Sequence, residues 1–167
     1  MSVRPEAGGR LPDIELPDHT GRRRKLSDVA AGDPLALLFS RGWWCPKEQR
    51  HLREMVAFQD ELEVAYARLA VISVDPPEVQ AAFRAGLGAR FIFLSDAERE
   101  WVEQLDLLEE TDTIHHPYRP TAMVLTPELE IHRVYDGYWY LGRPSREDLR
   151  RDLREVSALI RGDFERS

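Results

Sequence analysis

The chain has 167 residues, of which 43% are apolar and 32% are charged. This length and composition fit one globular domain over residues 1–167 and argue against two independent domains. The formal net charge is −7, so no net positive field attracts phosphates, and general nucleic-acid binding is excluded.

The predicted elements of the first half of the chain surround Cys45. A basic run at residues 22–25 follows a turn and is interpreted as a solvated hairpin or loop face, with an anion or partner patch as the alternative. Residues 35–40 form a short, continuous apolar run that is typical of a buried strand. From Pro46 to about Tyr66, apolar residues recur at helical spacing and predict an amphipathic helix. A strand therefore meets a helix at Cys45.

Strand-like and helix-like segments continue to alternate after this helix. Residues 69–74 are predicted as a strand, 78–85 as a helix and 91–94 as a short strand. Ser95 and Asp96 are expected to cap a further helix that runs through Leu107. Repeated units of this kind imply a partly parallel sheet in an α/β fold.

The last third of the chain predicts a hairpin and a covering helix. Residues 122–125 and 131–135 lie around a turn at 126–128 and are predicted to form a hairpin that closes the sheet. Ser145, three residues before Asp148, resembles a capping box at the start of a charged amphipathic helix. The side chains that this helix is expected to turn inward are Leu149, Leu153, Val156 and either Leu159 or Ile160.

No membrane or disulfide chemistry is expected. The first ten residues lack the apolar core of a signal peptide, and no stretch approaches the roughly 20 apolar residues that a membrane span requires. We therefore expect a cytoplasmic protein without a membrane partner. Because Cys45 is the only cysteine, a disulfide within the chain is excluded, and any redox cycle needs a thiol from another molecule.

The setting of Cys45 favours a reactive thiol. Pro46 fits the first position of a helix, which places Cys45 at the N-cap beside the free amides of the first turn. Thiolates are favoured by such amides and by nearby cations. The neighbouring cationic residues are Arg41, Lys47, Arg50 and His51. Glu48 acts in the opposite direction unless it caps the helix. The alternative is an inert, buried cysteine.

The stretch LALLFSRGWWCPKE at residues 35–48 resembles the active-site segment of the peroxiredoxin-like alkyl hydroperoxide reductase/thiol-specific antioxidant family. Further segments follow in the order expected of that family: GGRLPDIEL, DHTG, LSD, VISVD, FLSD and PTAMVLTP. The resemblance covers nearly the whole chain. It implies a thioredoxin-like fold, in which helices flank a central mixed β-sheet, with a peroxiredoxin-type N-terminal extension.

The resemblance also implies an antioxidant oxidoreductase without cofactor or metal. In this chemistry the Cys45 thiolate attacks a hydroperoxide and becomes a sulfenic acid, which an external thiol reduces. Backbone N–H groups of Trp44 and Cys45 would stabilise the leaving oxygen, and Arg119, with Arg41 in reserve, would orient peroxide and thiolate. Pro120 resembles the cis-proline that faces the reactive cysteine of thioredoxin-like folds.

Three positions around the cysteine depart from the family. Leu38 stands where the proline of the active-site loop is expected, and Gly42 where a Thr or Ser is expected. Glu48 stands where relatives with an RGxWCP loop carry a second cysteine. The leading hypothesis is therefore a one-cysteine peroxidase. A monothiol that exchanges with disulfides and a non-catalytic binding or sensor module remain as alternatives.

Two groups outside the loop carry open interpretations. One of the paired histidines, His115 or His116, is a candidate neighbour of Cys45 rather than a metal ligand. The aromatic segment Tyr138-Trp139-Tyr140 is interpreted as a lid, a groove wall or a homodimer contact, or as packing against its own domain.

Overall fold

The computed structural model of the protein describes residues 4–137 and 142–166, so the segment Tyr138-Trp139-Tyr140 lies outside the described residues. The strands are β1 (Glu15–Pro17), β2 (Arg23–Lys25), β3 (Leu35–Phe39), β4 (Arg68–Ser73), β5 (Ile92–Ser95), β6 (Thr121–Leu125) and β7 (Ile131–Asp136). The helices are α1 (Leu26–Ala30), α2 (Pro46–Val64), α3 (Pro77–Leu87), α4 (Glu100–Gln104) and α5 (Arg146–Arg166).

The central sheet has five strands in the order β5-β4-β3-β6-β7. β3 runs parallel to β4, β4 runs parallel to β5, and β6 and β7 are antiparallel to their neighbours. Every residue of β3 is buried, which explains why its sequence is apolar throughout rather than alternating. The mixed sheet confirms the predicted α/β class.

Apolar side chains fill both faces of this sheet. On one face, Leu37 and Phe39 belong to a core that includes Leu26 of α1. On the other face, Leu38 belongs to a core with Leu52 of α2 and the buried side chains of α5. β1 and β2 form the antiparallel hairpin predicted for the basic run. Helices on both faces and an N-terminal hairpin give the thioredoxin-like architecture that the sequence predicts.

The predicted start of the helix after β5 is wrong. Ser95 is the last residue of β5, α4 begins only at Glu100, and it ends at Gln104 rather than running through Leu107. The Asp96 carboxylate still satisfies the helix end, since it accepts hydrogen bonds from the N–H groups of Trp101 (3.1 Å) and Val102 (3.0 Å). Asp96 therefore caps α4 across an intervening turn instead of standing next to it.

The capping box of α5 is confirmed. The Ser145 N–H donates to the Asp148 carboxylate at 2.9 Å, and the Asp148 N–H donates to the Ser145 hydroxyl at 3.1 Å. Leu149, Leu153 and Val156 are buried as predicted. Of the remaining pair, Ile160 packs against the core whereas Leu159 is exposed. Within the described residues, no helix has the length and apolar character that crossing a bilayer demands.

Candidate active site around Cys45

Cys45 lies at the N-cap of α2, beyond the carboxyl end of β3. Its backbone is extended, with φ of −83° and ψ of 117°, and Pro46 opens the helix. The Gln49 N–H donates the helix's first hydrogen bond to the Cys45 carbonyl at 3.0 Å. Cys45 is only 3% exposed. The predicted helix start is thus confirmed, and the thiol lies at the positive end of the α2 dipole.

A tight turn at Gly42 delivers the chain from β3 to Cys45. The Gly42 N–H donates to the Ser40 hydroxyl at 3.2 Å, and the Cys45 N–H donates to the Gly42 carbonyl at 3.3 Å. The Cys45 N–H is therefore already engaged, which leaves the Trp44 N–H as the candidate backbone donor for a leaving oxygen. Gly42 has φ of +133°, a conformation that residues with a Cβ rarely adopt.

The space next to Gly42 is also occupied. A Cβ at this position would lie 2.7 Å from the Trp44 indole nitrogen and 3.2 Å from an Asp75 carboxylate oxygen. The Trp44 indole and the Asp75 carboxylate therefore occupy the space that a Thr or Ser side chain at this position would need.

Introducing the family's hydroxyl at this position is expected to harm the protein. We predict that Gly42→Thr lowers the free energy of unfolding by about 3 kcal/mol, from backbone strain together with overpacking. Gly32→Thr is the matched control, because Gly32 also has a positive φ (+82°) but has open space around it. Urea denaturation of both variants measures the difference, and a Gly42→Thr variant no less stable than Gly32→Thr would contradict the crowding.

Asp75 follows β4 and reaches the Cys45 turn through its carboxylate. Oδ2 accepts a hydrogen bond from the Trp43 N–H at 3.0 Å and another from the Ser73 hydroxyl at 3.2 Å. Because β3 and β4 are parallel, their carboxyl ends meet at one edge of the sheet, where α/β folds commonly bind ligands. Sequence reasoning missed Asp75. The signal in the sequence was that two polar residues, Ser73 and Asp75, stand at and just after the end of the buried strand β4.

The Asp75 carboxyl group is expected to make stability depend on pH. Burial raises its pKa above the ordinary value, and the hydrogen bonds from Trp43 and Ser73 only partly offset this. Folding therefore favours the protonated acid, so the ionised carboxylate lowers stability at neutral pH, and this cost disappears as the pH falls toward the ordinary value. We predict that Asp75→Asn melts at a higher temperature than wild type at neutral pH, with the gap closing in acid. Calorimetry across that range checks the sign, and a constant gap would contradict it.

Trp44 is held by a cluster of polar side chains. The His115 ring stacks on the Trp44 indole, with centroids 3.7 Å apart, and the Arg41 guanidinium carbon lies 5.2 Å from that ring. Asp112 joins the two, since it pairs with Arg41 at 3.1 Å and with His115 Nδ1 at 3.0 Å. Of the two histidines, His115 is thus the one that contacts the residue next to Cys45.

The Asp112 carboxylate remains charged over a wide pH range. Burial opposes its ionisation, but hydrogen bonds from the backbone and side chain of His115 and from the Ile114 N–H hold its pKa at about 2. A bridge between Leu108 and Tyr118 closes the loop that carries Asp112 and His115. The loop therefore contacts Trp44 through the His115 ring, and the charged Asp112 carboxylate holds that ring in place.

Glu48, one helical turn after Cys45, forms an ion pair with an arginine that is distant in sequence. Glu48 is 3% exposed, and its carboxylate binds the guanidinium of Arg143, in the segment that precedes α5. Glu48 does not cap α2, because the Cys45 N–H bonds to Gly42 instead. Sequence reasoning missed Arg143, whose partner lies 95 residues away.

His51 does not supply the positive charge expected of it. Burial lowers its pKa, and its Nε2 lies 2.9 Å from the Pro144 carbonyl. The ring is therefore a neutral donor to that carbonyl at pH 7. His51 is therefore not one of the cations predicted around Cys45.

Arg119 lies just before β6, as the family resemblance implies. Its guanidinium Nε is 3.0 Å from the Asp136 carboxylate and 3.4 Å from the Gly137 carbonyl, both at the end of β7. The expected cis bond before Pro120 is wrong, since the described residues contain no cis peptide. Thr121 begins β6 directly after Pro120. The trans Arg119–Pro120 bond, with the extended backbone that is usual before proline, leads into that strand.

A groove leads away from the cysteine loop between α2 and α3. It has a volume of about 540 Å³ and is lined by Trp43, Phe83 and Leu87 among other residues. Trp43 is 48% exposed, so it forms part of an accessible apolar wall beside the loop. No group of three or more His, Cys, Asp or Glu side chains within residues 4–137 and 142–166 has a geometry that would hold a metal ion.

Comparisons with known proteins agree with this geometry. Two curated relatives from strains of Mycobacterium tuberculosis, both named as peroxiredoxins, are each 34% identical over 96 residues, or 56% of this chain and 60% of the relative. The match thus spans less than two thirds of those relatives' length.

Solved structures share the fold. The peroxidoxin BcpB of Mycobacterium tuberculosis superposes with a TM-score of 0.77 at 23% identity, over 92% of this chain and 97% of that one. Reduced Prx3 of Vibrio vulnificus in complex with H2O2 gives 0.79 at 19% identity, over 90% and 96%. Residues 7–134 match the AhpC/TSA family. The resemblance read from the sequence is confirmed, and the chain belongs to the AhpC/TSA family.

Proposed function

We propose that the protein is a thiol-dependent peroxidase of the one-cysteine type, with Cys45 as its nucleophile. The observation that carries this proposal is the position of Cys45, the only cysteine in the sequence, at the N-cap of α2 beyond the carboxyl end of the sheet. A helix N-terminus stabilises the thiolate that attack on a peroxide requires.

The proposed reaction has two halves. The Cys45 thiolate attacks the terminal oxygen of a hydroperoxide, so that an S–O bond forms and the O–O bond breaks. The displaced oxygen leaves as hydroxide or alkoxide and takes up a proton. Cys45 is thereby oxidised to a sulfenic acid. One external thiol then displaces water to form a mixed disulfide, and a second releases Cys45 as the thiol.

The neighbouring residues support the first half. The developing charge on the leaving oxygen calls for a donor, and the Trp44 N–H beside Cys45 is the proposed one. Arg41 lies over the Trp44 ring and is held by Asp112, which supports it as a cation beside the loop. Arg119, fixed by Asp136, is proposed as the second cation, on the strength of the family resemblance.

Recycling is proposed to depend on a thiol from another molecule. Glu48 fills the position where a second cysteine would follow, and it is buried in its ion pair with Arg143. A compartment in which thiols stay reduced would supply that thiol, which supports the proposal of a cytoplasmic location.

Mass spectrometry of the oxidised protein tests the proposal. After one equivalent of hydrogen peroxide, we expect one added oxygen on Cys45 that a sulfenic-acid trap captures and a small thiol reverses. If the trap labels nothing while the thiol is consumed, or if Cys45 is left reduced, the one-cysteine mechanism is wrong.

Thiol–disulfide exchange is the second candidate, and the turn at Gly42 favours it. Gly42 provides no hydroxyl to the loop, and a thiolate is also a nucleophile toward a disulfide sulfur. Faster reaction of Cys45 with a small disulfide than with hydrogen peroxide or an alkyl hydroperoxide would select this function. Slow reaction with all three would leave a binding or sensor module.

A further inference from the structure

The structure assigns to Asp75 the role of positioning residue for Cys45, an inference that rests on the proposed peroxidase function. Asp75 is distant from Cys45 in sequence and lies just beyond the end of another strand, β4. Its carboxylate nevertheless binds the turn that presents the thiol, at the backbone N–H two residues before Cys45. The role proposed is to hold that turn in one conformation.

The carboxylate reaches the turn through one hydrogen bond, made by Oδ2, and its other oxygen lies beside Gly42. Oδ2 accepts the Trp43 N–H at 3.0 Å, while Oδ1 lies 3.2 Å from where a Cβ of Gly42 would be. The carboxylate thus fills the space beside the glycine and bonds to the next residue in the chain. Without it, the Trp43 N–H loses its acceptor and the turn loses the group that packs against Gly42.

A buried network makes Asp75 a rigid support. The Ser73 hydroxyl donates to Oδ2 at 3.2 Å, and the Gln80 amide donates to that hydroxyl at 2.9 Å and to the Leu94 carbonyl at 2.8 Å. The Ser95 hydroxyl donates to the Asp75 carbonyl at 2.6 Å. Ser73, Gln80 and Ser95 are each at most 2% exposed. The Ser73 hydroxyl therefore holds the carboxylate directly, Ser95 holds the Asp75 backbone, and Gln80 of α3 supports the carboxylate through Ser73.

This support matters because the turn's own hydrogen bonds, from the Gly42 N–H to the Ser40 hydroxyl and from the Gln49 side chain to the Trp43 carbonyl, leave the Trp43 N–H to Asp75. Gly42 is flexible when unrestrained, and the bond from the Cys45 N–H to the Gly42 carbonyl is long, at 3.3 Å. In-line attack on a peroxide requires the thiolate and the backbone donors to keep their relative positions, and misplacement by about 1 Å costs on the order of a hundredfold in rate. Asp75 supplies the restraint from across the sheet.

Two reactions of Cys45 test this role. The thiol is mixed with hydrogen peroxide, which requires alignment, and with iodoacetamide, which requires access. For Asp75→Ala we expect the peroxide rate to fall about tenfold or more, while alkylation of the buried thiol becomes faster. Asp75→Asn keeps an oxygen acceptor for the Trp43 N–H and should restore both rates to within about threefold of wild type.

Asp13→Ala is the matched control. Asp13 also accepts a backbone N–H and a serine hydroxyl, both from Ser27, at 2.9 Å and 2.6 Å, and it lies outside the Cys45 loop. Both rates should stay at the wild-type value. If Asp75→Ala does not fold, Asp75→Ser replaces it, since a serine can still bond to Ser73 but is too short to reach the Trp43 N–H.

The outcomes separate the inference from the peroxidase proposal. Wild-type peroxide and alkylation rates in folded Asp75→Ala or Asp75→Ser, or an Asp75→Asn variant as impaired as these, would overturn the positioning role. A wild-type protein that reacts with peroxide no faster than free cysteine would overturn the peroxidase, and the alkylation rates would still show whether Asp75 holds the turn.

Discussion

Cys45→Ser is expected to lower peroxide consumption by about a thousandfold or more, to the level of the uncatalysed reaction. The chain holds no other thiol to replace it, and a serine hydroxyl at the same place stays protonated and does not reduce peroxide. The measurement is consumption of hydrogen peroxide in the presence of a reducing thiol.

The fold of this variant should be intact, because sulfur is replaced by the smaller oxygen at one buried N-cap position. Serine is moreover a favoured N-cap residue. Ser27→Ala, in α1 and outside the loop, controls for the effect of altering a hydroxyl. Peroxide consumption by Cys45→Ser at the wild-type rate would show that the chemistry takes place elsewhere.

Arg143→Met is expected to lower the free energy of unfolding by about 3–5 kcal/mol, because it leaves a buried carboxylate without its partner. Glu48 is 3% exposed, so water does not replace the lost guanidinium. The pair joins the first turn of α2 to the segment before α5. Urea denaturation, followed by circular dichroism, measures the change.

Two further variants define the origin of that loss. Glu48→Leu with Arg143→Met removes both charges and should be more stable than Arg143→Met alone, since no buried charge is left unpaired. Arg68→Met breaks an ion pair with Asp33 in which Arg68 is half exposed, and it should cost about 1 kcal/mol or less. If Arg143→Met were no more destabilised than Arg68→Met, the predicted cost of leaving the buried Glu48 carboxylate unpaired would be wrong.

The elements around Cys45 could be predicted because their causes are local. The apolar run of β3 and the periodicity of α2 lie in contiguous sequence, and Pro46 marks the helix start between them. The capping box at Ser145 is likewise a four-residue signal. Such features depend on backbone and side-chain chemistry within a few residues, and the structure contains them all.

The candidate site could be predicted only in part, because its supports come from distant segments. Asp75 lies 32 residues from Trp43, and Arg143 lies 95 residues from Glu48. No spacing rule connects such positions. The same limit explains the error at His51. The sequence predicts a cation there, but burial in the folded chain lowers the pKa of the ring and leaves it neutral.

The error at Pro120 has a different origin. A cis bond was inferred from the place of this residue in a thioredoxin-like fold, and trans is the ordinary state of an X-Pro bond. Position in the fold did predict that Pro120 precedes β6. Resemblance therefore located the residue correctly and assigned the wrong peptide geometry.

The rate of reaction of Cys45 with hydrogen peroxide tests the central claim most directly. Reduced protein is mixed with excess peroxide at neutral pH in a stopped-flow instrument, and loss of the thiol is compared with that of free cysteine. An N-cap thiolate in an ordered turn should react at least about a hundredfold faster than free cysteine. A rate equal to that of free cysteine would contradict a peroxidatic role for Cys45.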